Sequence, residues 1–308
     1  MKVAVLAGGV GGSRFARGLD EVVAPSEVTV VGNVGDDLEL FGLHVSPDLD
    51  TLLYTLADVG DEEQGWGRAD ETWHALETIE ALGADAWFHL GDRDLGLHLV
   101  RTEALRAGEP LSAVTARLAR ALGLELTLVP ATDDRLRTWV ETPAGAFPFQ
   151  EWFVRRGHRD PVDAVRFEGA ETARPAPGLL EALEEADVLV IAPSNPFVSI
   201  APILAVRGLR AAFERRRITA VAVSPLIGGR AVKGPADAMF PRLAGGTTPA
   251  HVAGCYEGLI DALVLDEADA EGAAALAVRP IVTRTLMRDR DARMRLAEAT
   301  LEAAAAVR

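Results

Sequence analysis

Cysteine is almost missing from this sequence: Cys255 is the only one in 308 residues. An intrachain disulfide, a thiolate zinc cluster and a Cys-x-x-Cys redox pair are therefore excluded, and a reducing compartment is expected. Positive charge is scarce as well. The 31 basic residues face 46 acidic ones, for a formal net charge of −15. That sign disfavours nonspecific nucleic-acid binding and an anionic membrane surface. Lysine is scarcest: Lys2 and Lys233 stand alone, and every other basic residue is arginine. Genome composition explains such a skew, but a compact ammonium and a guanidinium are not interchangeable at a site, so Lys233 is worth following. Long apolar runs are also lacking. The most apolar stretch, 188–206, is interrupted by Pro193, Ser194, Asn195, Pro196, Ser199 and Pro202, so it cannot be a continuous membrane helix. The opening run Val3–Ala7 is too short for a signal peptide. The expectation is a soluble, cytoplasmic protein.

The residues present are those of an ordinary globular protein, 49% hydrophobic and 25% charged, which argues against disorder. The length suits one large α/β domain or two small ones. Lys2–Leu6 reads as a short buried strand that runs into glycines 8, 9, 11 and 12, with a helix from Ser13 to Leu19 and a second strand at Val28–Val31. Strand, glycine loop and helix in that order open a phosphate-binding α/β fold, and the return strand pairs in parallel. The stretch Gly32–Asp50 has no clean period and is longer than usual loops, which points to a functional loop. Helices are expected at Thr51–Ala57, Glu71–Leu82, Asp94–Ala107, Ser112–Leu122, Leu179–Glu185, Ile203–Arg215 and Asp289–Val307. Further strands are expected at Glu125–Val129, Val188–Ile191, Thr219–Val223, Ala262–Leu265 and Pro280–Thr283, with β-like pieces across Leu136–Trp152. There is no internal repeat. The whole chain, 1–308, therefore reads as a single α/β domain, a doubly wound parallel sheet with a mixed, mostly helical segment at about 66–172 inserted as one wall of the site.

Five motifs could carry chemistry. Gly8-Gly9-Val10-Gly11-Gly12-Ser13-Arg14 offers backbone amides beside a helix N-terminus, which suits phosphate. The dinucleotide fingerprint fails because its third glycine would fall at Arg14, and no Gly-Lys-Ser/Thr follows to make a Walker loop. The plain alternative is a tight turn. Asn33-Val34-Gly35-Asp36-Asp37 and Ser46-Pro47-Asp48-Leu49-Asp50 place four aspartates at the carboxyl end of the second strand. Carboxylates so clustered repel unless a cation or a donor stabilises them, and Mg²⁺ held by one or two of them plus substrate phosphates is the usual solution. Capping of the next helix accounts for Asp48 or Asp50 but not equally for Asp36 and Asp37. In Gly91-Asp92-Arg93-Asp94 a guanidinium between carboxylates suits a ligand contact or a structural ion pair, and the ion pair is the simpler reading. Pro193-Ser194-Asn195-Pro196 follows a buried strand and offers donors and acceptors for a nucleobase or ribose, with a helix cap at Ser199 as the bland reading. Gly228-Gly229-Arg230 and Lys233 supply close backbone approach and cations for phosphate oxygens. The six histidines show no metal-ligand spacing, Ser224 and Cys255 lack a base partner, and Trp66 and Trp73 suit either a planar ligand or the packing of the helical segment.

Taken together, these stretches resemble the CofD/FbiA family, the 2-phospho-L-lactate transferases of deazaflavin coenzyme biosynthesis. The similar segments are GGVGGSRFARGL at 8–19, NVGDD at 33–37, SPDLDTLLYTL at 46–56, GWGRADET at 65–72, LGDRDLGLHLVRT at 90–102, PSNPFVSIAPIL at 193–204 and SPLIGGRAVKGPA at 224–236. They occur in the family's order over most of the chain. The resemblance implies a Rossmann-like, three-layer α/β fold and a homodimer. It implies transfer of a 2-phospho-L-lactyl or phosphoenolpyruvyl group from a guanosine diphosphate conjugate to the ribityl hydroxyl of 7,8-didemethyl-8-hydroxy-5-deazariboflavin, with Mg²⁺ assisting and GMP released. On that basis Asp36, joined by Asp37, is assigned to Mg²⁺. Gly9, Gly11, Gly12, Gly229 and Lys233 are assigned to the diphosphate, and Ser194 and Asn195 to the guanosine. Asp50 and Arg93 are assigned to the deazaflavin, with Asp50 a candidate acceptor of the hydroxyl proton.

Two other readings compete. A sister group of similar fold binds nucleotide sugars and regulates metabolism without turnover. It shares the glycine loop but not the patterns at 33–56 and 90–102, which are present here. A dinucleotide oxidoreductase is disfavoured by Arg14.

Overall fold

The structure is a computed structural model and describes residues 1–307. Seven strands form its central sheet: β1 (Val3–Ala7), β2 (Val28–Gly32), β3 (Thr127–Pro130), β4 (Val188–Ile191), β5 (Thr219–Val223), β6 (Ala262–Asp266) and β7 (Arg279–Thr283). Their order is β7-β6-β5-β4-β1-β2-β3 and every pairing is parallel. The inner strands are Val- and Leu-rich without alternation because helices cover both faces. β1, β4, β5 and β6 are buried along their whole length. Val5 sits at the centre of the register, opposite Val30 on one side and Val190 on the other.

The chain leaves β1 in one direction, through β2 and β3, and returns to lay β4 on the other flank of β1. Loops leaving β1 and β4 diverge at that reversal, and the crevice between them is where open α/β sheets hold ligands. The α/β expectation and its tight first crossover hold. Helix α1 (Gly9–Val22) follows β1, and the closing helix α2 (Arg290–Val307) packs against it. The two can lie this close because Gly18 has no side chain, where a Cβ would strike the Arg293 carbonyl.

Three local expectations change. The glycine-rich stretch is not a free loop: α1 starts at Gly9, four residues before the expected Ser13. Residues 32–50 are not irregular either. They hold a hairpin, Leu38–Leu40 with Leu43–Val45, and then a helix that begins at Pro47. Phe41 and Gly42 turn the hairpin with φ of 51° and 74°, and three-residue strands are too short to show a period. The helix expected at Ile203–Arg215 is two, Ala201–Ala205 and Leu209–Glu214, broken where Gly208 takes φ 87°.

The 66–172 segment is divided by the central sheet, since β3 lies within it. Before β3 come helices His74–Ala81, Asp92–Arg106 and Leu111–Ala121. After it comes a small antiparallel sheet, with Arg137–Thr142 between Gly145–Pro148 and Ala164–Glu168. Among the described residues no helix is long and apolar enough to cross a membrane.

Candidate active site

A cavity of about 710 Å³ opens at the carboxyl edge of the sheet, over the β1–β4 crevice. Residues Gly8–Gly11, Asp36, Asp48, Asp50, Pro193–Asn195 and Lys233 bring polar groups to its wall, and Trp66, Trp87, Phe88, Phe149 and Phe153 bring aromatic rings. Phe149 and Phe153 stack at 5.4 Å between ring centroids. Trp73 is absent from the wall and meets His89 edge-on instead.

The glycines serve close packing first. A side chain at Gly11 would strike the Pro193 carbonyl oxygen, one at Gly12 the Ser194 hydroxyl, and one at Gly8 the Asp48 carboxylate. Gly9 holds φ 64°, and its amide donates to Asp48 Oδ1 at 2.7 Å. The following amides of the first helical turn have no intrahelical acceptor and belong to residues on the cavity wall, so they can receive phosphate.

Asp36 and Asp48 converge on one side-chain amide. Asn33 Nδ2 donates to Asp36 Oδ1 at 3.0 Å and to Asp48 Oδ2 at 2.9 Å. Gln150 Nε2 donates to the other Asp36 oxygen at 3.0 Å. Burial, then the charges of Asp48 and Asp37, push the Asp36 carboxyl well above its ordinary pKa. Burial pushes Asp48 up to about 6 against the Asn33 and Gly9 hydrogen bonds. Two buried carboxylates without a cation are under electrostatic pressure that a divalent ion relieves. Asp37 turns the other way. Its Oδ2 is held by Ser46 Oγ and His44 Nε2, both at 2.9 Å, its Oδ1 is buried without a partner, and it does not line the cavity. The structure thus pairs Asp36 with Asp48 rather than with Asp37. Among the described residues no three His, Cys, Asp or Glu side chains form a ready-made metal cage.

Asp50 lines the cavity, but both its oxygens are committed. The fully buried Arg101 donates Nη2 to Oδ1 and Nη1 to Oδ2, the latter at 3.1 Å. Burial lowers the Arg101 pKa, yet the Asp50 charge outweighs it, so the guanidinium stays charged. Arg93 lies outside the cavity wall: it is exposed and donates Nη1 to the Ala69 carbonyl at 3.3 Å. Asp94 and His98, in the first and second turns of the same helix, line the wall instead.

Ser194 is buried; its hydroxyl donates to the Gly8 carbonyl at 2.8 Å and accepts from the Gly8 amide at 3.2 Å. Asn195 Oδ1 caps the π-helical turn Pro196–Ile200 by accepting from Phe197 N at 2.9 Å, so the cap is Asn195, not Ser199. Gly229 sits off the wall in the turn of the hairpin Leu226–Ile227/Arg230–Ala231, and its amide and that of Gly228 are taken by the Asp269 carboxylate. Lys233 does line the wall. Its ammonium donates to the carbonyls of Glu63 and Gln64 at 2.9 and 2.8 Å, and burial followed by Arg14 lowers its pKa.

Sequence reasoning did not single out Arg101, His98, Tyr54 or Gln150. Tyr54, His98 and Arg101 lie within the segments at 46–56 and 90–102 that carry the family resemblance, and that position was the signal that could have marked them.

The family profile described as 2-phospho-L-lactate transferase CofD matches residues 3–299. The chain belongs to that family. It is 45% identical over 317 aligned residues to a phosphoenolpyruvate transferase of Streptomyces coelicolor, covering all of this chain and 99% of that one. It is 46% identical to the phosphoenolpyruvate transferase of Thermobifida fusca over 89% of each chain. Among solved structures, the BH3568 protein of Bacillus halodurans, a UPF0052 member, superposes with a TM-score of 0.67 over 97% of this chain and 99% of its own, at 18% identity. That likeness shows the shared fold. Family and relatives make this chain a transferase.

Proposed function

We propose that the chain transfers a phosphoenolpyruvyl group from a guanosine diphosphate conjugate to the ribityl hydroxyl of a deazaflavin, releasing GMP. The observation that carries this is the Asp36–Asp48 pair, which shares one cavity wall with the open amides of α1 and with five aromatic rings. Attack on a diphosphate demands charge neutralisation and in-line alignment more than covalent catalysis. The α1 amides and Lys233 neutralise phosphate oxygens. Ser194 and Asn195 shape the wall behind the nucleoside. The aromatic rings take a planar tricycle. Asp36 and Asp48 would hold Mg²⁺, which supplies positive charge at the diphosphate when bound. The enolpyruvyl donor is preferred to the lactyl one because the relatives are named phosphoenolpyruvate transferases.

Incubating the protein with deazaflavin, Mg²⁺ and either donor tests the reading. Phosphorylated deazaflavin and GMP are expected, faster from the enolpyruvyl donor. No product with either donor would falsify it, and faster turnover of the lactyl donor would reverse the donor preference alone.

A further inference from the structure

Resting on the transfer reaction proposed above, we infer that Asp94 is the group that takes the acceptor hydroxyl's proton, with Tyr54 and His98 as the residues that position it.

Asp94 stands in the first turn of the helix Asp92–Arg106, where a carboxylate ordinarily serves as a cap. Here the capping is done by others. Glu71 Oε2 accepts from Arg93 N and Glu71 Oε1 from Asp94 N, both at 3.0 Å. Asp92 is engaged by Thr72 Oγ1, His74 N and Ala75 N, at the start of the preceding helix. The Asp94 side chain is left to point into the fold. Its Oδ1 accepts from Tyr54 OH and lies 3.4 Å from His98 Nε2, a buried nitrogen with no hydrogen-bond partner. Oδ2 takes neither of these contacts, and Asp94 lines the cavity.

Asp50, the carboxylate expected for this task, has both oxygens held by Arg101 and accepts from Ser46 N as well. Of the two cavity-side carboxylates near His98, Asp94 is the one with an oxygen to spare. Burial raises its pKa, but His98, Tyr54 and Arg101 outweigh that, so it is ionised and able to accept a proton. On the far side, His98 Nδ1 lies 3.7 Å from Asp50 Oδ2 and 3.4 Å from Arg101 Nη1.

The step balances as follows. The acceptor oxygen forms a bond to the β-phosphorus of the donor. The bond from that phosphorus to the bridging oxygen breaks, and its electron pair leaves with GMP. The acceptor proton passes to Asp94 Oδ2, the oxygen that neither Tyr54 nor His98 contacts. A proton returns to water by the same carboxylate when product leaves. A loose transition state keeps the demand on such a base small, so a carboxylate of low basicity suffices.

The test uses the full chain with both substrates. Asp94→Asn should lower kcat by about 10²-fold or more while deazaflavin binding, read by its fluorescence, and donor KM change less than about threefold. Tyr54→Phe and His98→Gln should lower kcat by about tenfold at unchanged donor KM, a split that mere loss of packing does not produce; Asp94→Glu should restore part of the rate lost in Asp94→Asn. Wild-type rates in Asp94→Asn, or a loss of rate matched by loss of deazaflavin binding, overturn the role of Asp94 and leave the transfer reaction standing. No product from the wild-type protein overturns the reaction, and this inference with it.

Discussion

Asp50 and Arg101 show how burial decides what a charge can do. Arg101 has no exposed surface and Asp50 is its direct partner. Truncating one member of such a pair strands the other in a low-dielectric setting, at a cost of about 3–5 kcal/mol. Arg101→Met is therefore expected to lower the unfolding free energy by that order, measured by urea denaturation, whereas Arg93→Met at its exposed position should change it by less than about 0.5 kcal/mol. Equal effects at the two sites would show that the Asp50 pair contributes no more than a surface contact. The same residue scale explains why Asp94, and not the Arg93 expected at the deazaflavin, reaches the cavity wall. In the sequence the two are simply adjacent charges. Only the helix phase, fixed by Glu71 holding the Arg93 and Asp94 amides, turns one outward and the other to the cavity.

At the scale of elements, the strands were legible because parallel strands covered on both faces are unbroken apolar runs. Val188–Ile191 and Thr219–Val223 carry the bounds read from the sequence. The hairpin at 38–45 and the strand Ala164–Glu168 were not legible. Their burial is partial and their sides mixed, so neither period dominates. The candidate site was half legible for a related reason. Clustered aspartates and glycines mark the crevice, but which aspartate meets which amide depends on where Pro47 starts its helix. Helix and loop contacts also yield predictions. Gly11 and Gly12 let α1 approach the Pro193–Ser194 turn, so Gly11→Ala should destabilise by about 1–3 kcal/mol through the clash with the Pro193 carbonyl, read as a lower urea midpoint at unchanged slope. Lys233 ties the Glu63–Gln64 carbonyls to the opposite wall. Lys233→Ala should raise donor KM several-fold and speed amide hydrogen exchange across 61–67. Faster exchange with an unchanged KM would restrict Lys233 to holding that segment.

For the molecule as a whole, an acidic chain of net charge −15 must accept a diphosphate. The acidity is not spread evenly, since Asp36 and Asp48 bury two carboxylates at the point where phosphate is expected. The linkage between protonation and folding has a definite sign here. Asp48 has a folded pKa of about 6, above the roughly 3.9 of an unfolded aspartate. A group raised on folding contributes stability that is complete below the unfolded value and disappears as pH rises through the folded one. The pair should therefore weaken the metal-free protein between about pH 4 and pH 7, by up to about 3 kcal/mol from Asp48 alone. Other carboxylates, such as Asp94, are shifted downward and act in the opposite sense at lower pH, so the wild-type curve alone does not isolate the effect. Comparison with Asp48→Asn does, because asparagine can still accept from the Gly9 amide. The variant and the wild type should melt within a degree or two at pH 4. At pH 8 without divalent ions the variant should melt several degrees higher. Millimolar Mg²⁺ at pH 8 should raise the wild type and close most of the gap, because a bound cation replaces the missing protons. A gap that is the same at pH 4 and pH 8 would mean the two carboxylates do not compete, and a gap untouched by Mg²⁺ would move the metal away from Asp36 and Asp48.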